Sequence, residues 1–224
     1  REVNNGEDAN RIAGEIRDGE LLVSKVLRKQ SKRKSPPPFI TSRLQQEASR
    51  KLRFTPKKTM RVAQSLYEGV EIEGGAQGLI TYMRTDSTRL SGESIDAARA
   101  YIDRRWGGPY LPKKPNFYAA KKGAQDAHEA IRPTDMSRTP EAIKRFLTKD
   151  QLALYTLIWN RVVASQMRPA VYDETVVDIG ATPKAGTPPY LLRAKGSVLK
   201  FKGFLAVYEE TREEKVETKP TVEE

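Results

Sequence analysis

Apolar positions along the chain follow two periods, and the switch between them separates a helical middle from β-type flanks. In the middle, Leu44, Ala48 and Leu52 fall on one helical face behind Ser42 and Gln45, which form a capping-box pair. Thr55 and Pro56 open a second helix, with Met60, Ala63, Leu66 and Tyr67 on its apolar side and Gly69 as its stop. The tight Arg53-Phe54 turn makes of these either a helix-turn-helix pair, with Lys57, Lys58 and Arg61 facing DNA, or a plain helical hairpin with a solvated basic face. Ser91 caps a third helix with Ile95, Ala98 and Ile102 inward, ending before Gly107 and Gly108. Thr139 and Pro140 begin another, with Ile143, Phe146 and Leu147 inward. Thr148 and Gln151 then form a second capping box ahead of the stripe Leu152, Tyr155, Ile158, Trp159, Val162 and Val163, which reads as core.

The flanks differ. Residues 6–18 are polar and predict a short helix, and Leu21, Val23 and Val26 predict a strand over 20–29. Arg28, Lys29, Lys32, Arg33 and Lys34 crowd together before Pro36, Pro37 and Pro38, which deny backbone donors to a helix or central strand. That run reads as a solvated linker, or as a non-specific phosphate contact. Residues 70–77 predict a Gly-containing loop, and 109–123 a surface loop in which Tyr110, Phe117 and Tyr118 either stack on unpaired bases or pin the loop to the body. Residues 172–179, 190–194, 198–201 and 204–208 are alternating or short apolar runs separated by Gly or Pro, and predict strands. The tail from Glu209 is charged and lacks large apolar anchors, which predicts fraying or disorder. Segregation of strands from helices gives an α+β fold.

Candidate chemistry centres on ITYMRTDS at 80–87, where an extended backbone puts Tyr82, Arg84 and Asp86 on one face. A phenol beside a guanidinium supplies what a phosphodiester transesterase needs: an oxygen nucleophile and a fixed positive charge where the pentacoordinate phosphate gathers negative charge. The ordinary reading is a half-buried strand whose Tyr packs and whose Arg pairs with Asp. A free phenol has a pKa of about 10, so attack near neutrality needs help, and a guanidinium gives it by stabilising a phenolate and gripping phosphate bidentately. His128 is the only histidine in the chain. A short helix over 125–131, ended by Pro133, would put His128 and Arg132 on one face. Such a histidine is either structural or, when protonated, a donor to a phosphate oxygen.

With 40 Lys and Arg against 29 Asp and Glu the net charge is +11, which favours a polyanionic partner, nucleic acid or an anionic membrane surface. No apolar run approaches the roughly 18 residues of a bilayer span, and no export signal opens the chain, so a soluble cytoplasmic protein without membrane contact is expected. With no Cys, disulfides and cysteine zinc sites are excluded.

Three stretches taken together, PPPFITSRLQQEASRKL at 36–52, GLITYMRTDSTRLS at 78–91 and AQDAHEAIRPTD at 124–135, resemble the bacterial type IA DNA topoisomerases in the same order. The resemblance is to the topoisomerase I branch, since topoisomerase III usually has Pro where this chain has Met83. It implies a toroidal enzyme in which 1–38 and 167–208 join into a β-rich arch domain, 39–166 form an inserted helical domain carrying the nucleophile, and 209–224 are a charged tail. It further implies that Tyr82 attacks one DNA strand to give a 5′-phosphotyrosyl link, with Arg84 and His128 as catalytic partners. Thr81, Thr85, Asp86, Gln64, Glu68 and Arg132 are the implied DNA-binding or supporting residues. In that scheme Asp86 orients Arg84 by an ion pair, and Gln64 with Glu68, four apart on one helix, positions the active-site segment or a phosphate.

Strand passage and resealing would relax negatively supercoiled DNA without ATP, acting on its single-stranded segments, with the protein as a monomer. The family's acidic Asp-x-Asp-x-Glu cluster is not found, so Mg²⁺ is expected to bind outside these residues, which hold no metal themselves. The chain is accordingly expected to be a central fragment, inactive in relaxation alone. Two other classes compete: a non-catalytic nucleic-acid-binding helical module, and a tyrosine recombinase, whose tyrosine usually lies late in its domain among several arginines and histidines.

Overall fold

The computed structural model describes residue 3 and residues 5–118, 128–182 and 190–209. The chain divides into two compact units: residues 1–32 with 171–201, and residues 33–170 with 202–209. The divisions fall a few residues from those expected at 38 and 167. Residues 202–208, expected in the β-rich flank, belong to the helical unit.

In the first unit, helix α1 (Gly6–Asp18) is capped by the Asn5 side chain, which accepts from the Asp8 amide at 2.8 Å. Strand β1 (Glu20–Arg33) follows. It runs on through Arg28, Lys29, Lys32 and Arg33, so these are strand positions rather than the expected linker. Two later strands, β4 (Ala170–Thr182) and β5 (Tyr190–Phe201), complete a sheet of order β1-β4-β5. The β4 and β5 strands pair antiparallel, with Asp178 opposite Arg193 and a bidentate ion pair between them at 2.6 and 3.0 Å. Continuous pairing carries β5 through Gly196, so the two short strands expected at 190–194 and 198–201 are one. Ser24 donates to the Asp178 carbonyl and Ser31 to the Glu174 carboxylate, tying β1 to β4.

The second unit is built around α6 (Lys149–Ser165), opened by the expected Thr148–Gln151 capping box. Around it pack α2 (Thr41–Leu52), α3 (Pro56–Glu68), α4 (Gly92–Trp106) and the short α5 (Pro140–Ile143). Leu154, Tyr155, Ile158, Trp159, Val162 and Val163 meet Leu44, Ala48, Ala63, Leu66 and Ile102 in the buried interior. Thr55 and Ser91 cap α3 and α4 as expected, but Ser42 does not cap α2. That helix starts two residues earlier than a Ser42 cap would allow, at Thr41, whose hydroxyl is engaged elsewhere. Arg53 ends it in the left-handed region at φ 59°, its amide and that of Phe54 satisfying the Ser49 and Ala48 carbonyls. Lys58 pairs with Asp150 at 2.8 Å and lies over the Phe54 ring, leaving Lys57 and Arg61 as the exposed cations of α3.

Three other expectations change. Residues 70–77 form a small hairpin, β2 (Val70–Ile72) with β3 (Gly75–Gln77), rather than a loop. Pro36 and Pro38 are buried, so the proline run is packed chain. Residues 204–208 are not a strand: the chain turns in a single 3₁₀ helix, Gly203–Ala206. Gly203 sits at φ 50°, and a Cβ there would lie 2.4 Å from the Pro169 carbonyl oxygen and 2.5 Å from that of Arg168. The turn delivers Tyr208 into the core, where its hydroxyl bonds the buried Glu47 carboxylate at 2.6 Å. Burial raises the Tyr208 pKa, and the Glu47 bond adds to the shift. The side chain of Arg161, 1% exposed, donates to the Pro37 carbonyl at 2.6 Å and stacks on Phe39 and Tyr208. The loop expected over 109–123 begins as a 3₁₀ turn, Gly108–Tyr110; residues 119–123 lie outside the described residues, as does the tail beyond 209.

Gly203→Ala should lower the unfolding free energy by about 2–4 kcal/mol, because both the backbone angle and two carbonyl oxygens oppose a methyl group. Urea denaturation of the two chains measures the difference.

Candidate active site

The 80–87 segment alternates as expected but is not a strand. Tyr82, Arg84 and Asp86 are exposed while Met83, Thr85 and Ser87 are buried. Yet the only ladder contact is a bridge from Ile80 to Pro133, and the chain bends at Met83 and Arg84. A buried backbone without a sheet must find other partners, and threonine hydroxyls supply them. The Thr41 hydroxyl lies 2.8 Å from the Met83 carbonyl and 3.0 Å from that of Thr85, and accepts from the Thr85 amide at 2.9 Å. The Thr41 amide in turn donates to the Thr85 carbonyl at 2.9 Å. The Thr85 hydroxyl accepts from the Ser87 amide at 3.1 Å, and the Ser87 hydroxyl from the Arg89 amide at 3.2 Å.

Thr81 does the same on the other side. Its hydroxyl donates to the Ala130 carbonyl at 2.7 Å and accepts from the Arg132 amide at 3.0 Å, while its own amide donates to the Arg132 carbonyl at 2.9 Å. Ala130 and Ile131 donate to the Arg89 and Phe39 carbonyls, at 2.8 and 2.9 Å. These bonds hold 128–132 as extended chain. The helix expected over 125–131 is therefore absent from 128 onward, and residues 125–127 lie outside the described residues. His128 reaches the site through this bridging and not through an i, i+4 helical face.

Tyr82 is 41% exposed, with its ring flanked by two others. The half-buried His128 ring lies 6.2 Å from it, centroid to centroid, and Tyr67 meets it edge-on at 5.4 Å and 64°. Tyr67 comes from the last turn of α3, where the Leu79 amide donates to the Leu66 carbonyl at 2.7 Å and draws the segment against the helix end. Sequence assigned Tyr67 to an apolar face; it is instead 40% exposed beside the candidate nucleophile. Gln64 and Glu68 on the same helix are joined by a 2.5 Å hydrogen bond.

Charges around the phenol divide into paired and free. Arg132 is engaged by Glu129 at 2.6 Å and by the Pro133 carbonyl, so its charge is partly neutralised. Arg84 is exposed and makes no ion pair or hydrogen bond among the described residues. The ion pair expected between Asp86 and Arg84 is accordingly not formed, and the guanidinium is left to an external anion. No cluster of three or more His, Asp or Glu among the described residues fits a metal ion. The arrangement offers a solvent-open phenol, a free guanidinium and an imidazole, a combination able to receive a phosphodiester.

Thr41 and Tyr67 are the residues that pattern alone does not reveal, since a hydroxyl at the start of a helix signals capping and an aromatic at a helical period signals core. Thr41→Val should lower stability by about 1–3 kcal/mol and speed hydrogen exchange at the Thr85 amide, because a buried donor and acceptor lose their partner. Thr41→Ser should recover most of both.

The model of the DNA topoisomerase family (Topoisom_bac) matches residues 1–224. The chain is 46% identical to DNA topoisomerase 1 of Rickettsia prowazekii over 214 residues, which is 95% of this chain and 27% of that protein. It is 48% identical to DNA topoisomerase 1 of Xylella fastidiosa over 209 residues, 92% of this chain and 25% of that one. Full-length topoisomerase I from Thermotoga maritima superposes with a TM-score of 0.74 at 40% identity, covering 91% of this chain and 32% of that structure. The chain thus spans about a quarter of the length of these curated relatives, and it belongs to the DNA topoisomerase family.

Proposed function

We propose that these residues are the nucleophile-bearing part of a type IA DNA topoisomerase, with Tyr82 as the attacking group. The observation that carries the reading is the exposed Tyr82 phenol beside His128, two residues from an Arg84 guanidinium with no partner among the described residues. In the proposed step the Tyr82 oxygen bonds to phosphorus, the phenol proton leaves, the P–O3′ bond breaks, and the freed 3′ oxygen takes up a proton. The product is a 5′-phosphotyrosyl link and a 3′-hydroxyl. Arg84 grips the non-bridging oxygens as they gain charge, and His128 is a second donor to them. Phenolate leaves more readily than alkoxide, so attack by the 3′-hydroxyl reseals the strand without nucleotide hydrolysis.

Thr81 and Thr85 act on the backbone rather than on DNA in this scheme, and Gln64, Glu68, Asp86 and Arg132 border the phosphate path. Passage of a strand through the break relaxes negative supercoils, with single-stranded DNA as the substrate of a monomer working in the cytoplasm. No helix among the described residues is long and apolar enough to cross a membrane, and the net charge of +11 suits a polyanion. In this reading Mg²⁺ is held by residues outside this chain, as the family resemblance implies.

In a full-length protein carrying these residues, with single-stranded DNA and Mg²⁺, Tyr82→Phe should abolish the denaturation-resistant DNA adduct. Arg84→Ala should slow its formation by about 100- to 1000-fold while DNA is still bound. An undiminished adduct in Tyr82→Phe would refute the assignment, and the absence of an adduct in both chains would favour the binding-module reading. The 224 residues alone should leave supercoiled plasmid unrelaxed in a gel assay.

A further inference from the structure

We propose that Phe117 and Lys34 form a further single-stranded DNA contact, in which an unpaired base stacks on the Phe117 ring and the adjoining phosphate meets the Lys34 ammonium. The inference takes only its ligand, single-stranded DNA, from the function proposed above. Phe117 is 79% exposed, a cost in contact with water that folding usually avoids for so large a ring. Its two neighbours, by contrast, are fixed to the buried end of α6. The Asn116 side-chain amide donates to the Ser165 and Met167 carbonyls at 2.9 and 3.0 Å, and its backbone exchanges hydrogen bonds with the Gln166 side chain at 3.2 and 3.0 Å. Ser165 and Gln166 are fully buried. On the other side the Tyr118 hydroxyl lies 2.8 Å from the Ser165 carbonyl and 2.9 Å from the Ser35 hydroxyl. A backbone tethered on both sides holds the ring out in a fixed position, which limits the entropy lost when a flat partner stacks on it.

Beside the ring is a cavity of about 420 Å³ whose walls include Lys34, Ser35, Pro115, Phe117, Tyr118 and Pro169. Lys34 is exposed and has no ion pair or hydrogen bond among the described residues, whereas neighbouring Arg33 lies over the Phe204 ring. An aromatic platform with a free ammonium suits a nucleotide, whose base supplies the π-face and whose phosphate supplies the charge. Duplex DNA keeps its bases stacked on one another, so the ligand is an unpaired strand. Tyr118, whose hydroxyl is committed to Ser35 and Ser165, is the anchor of this site and not a stacking residue.

The test measures equilibrium binding of the Tyr82→Phe chain, which cannot form the proposed covalent link, to an oligodeoxynucleotide carrying 2-aminopurine. Phe117→Ala in that background should weaken binding by about 5- to 100-fold and abolish the 2-aminopurine quenching, with the slope of affinity against salt unchanged. Phe117→Trp should restore both. Lys34→Gln should weaken binding and reduce the salt slope by about 0.7, the value for one phosphate on a single strand. Thermal unfolding should be the same for all of these chains, since the ring is exposed. Wild-type affinity and quenching in Phe117→Ala would overturn the inference, and so would a failure of the parent to bind. A lowered unfolding temperature in Phe117→Ala would also overturn it, by making the ring a packing surface for protein. Failure here leaves the adduct assay of Tyr82 untouched, so the two readings fall separately.

Discussion

The site depends on hydrogen-bonding a buried backbone that belongs to no sheet. Between Ile80 and Leu90 alternate residues are sunk in the protein, yet the chain bends where a strand would continue. Unpaired amides and carbonyls there would each cost about 1–3 kcal/mol. Thr41, Thr81, Thr85 and Ser87 meet that demand with side-chain oxygens at 2.7–3.2 Å. Burial of Met83 and Thr85 then fixes, by simple alternation, the outward direction of Tyr82 and Arg84. The exposure of the phenol is thus a consequence of what its neighbours bury.

The same economy governs the charges. Arg132 and Arg84 both border the phenol's segment, but Glu129 occupies the first and nothing described occupies the second. A guanidinium held by a carboxylate is a poor phosphate clamp, because an incoming anion must displace its partner. The free one carries no such cost. Arg161 shows a third use of the same group: buried among Phe39, Tyr208 and the Pro37 carbonyl, it is structural and has no route to an external anion.

Much of the helical unit was legible in sequence because its signals are local. Thr55, Ser91, Thr139 and Thr148 cap the helices they introduce, and the α6 stripe is core. Failures came where a distant partner decides. Ser42 loses the cap because Thr41 is bound across forty-odd residues to Met83 and Thr85. Residues 204–208 have the composition of a strand, yet Gly203 turns the chain before it can pair. The basic run Arg28, Lys29, Lys32, Arg33 and Lys34 read as a linker, but pairing with β4 makes it a strand as far as Arg33, as Ser31 and Lys29 against Glu174 attest. At the site itself, alternation put Tyr82, Arg84 and Asp86 on one face, which the fold turns outward, while the arrival of His128 beside Tyr82 depends on bonds between 81 and 130–132 that no spacing encodes.

Thr41 lies in the first turn of α2, and its hydroxyl and amide both grip the stretch that carries the phenol. Loops are usually the interchangeable parts of a protein, open to insertion and exchange. This one is not: excised as a peptide it would keep its sequence and lose its shape, because its scaffold is contributed by residues on both sides of it in the chain. Any attempt to transplant the Tyr82 segment into another framework would have to move α2 and the 130–134 stretch together with it.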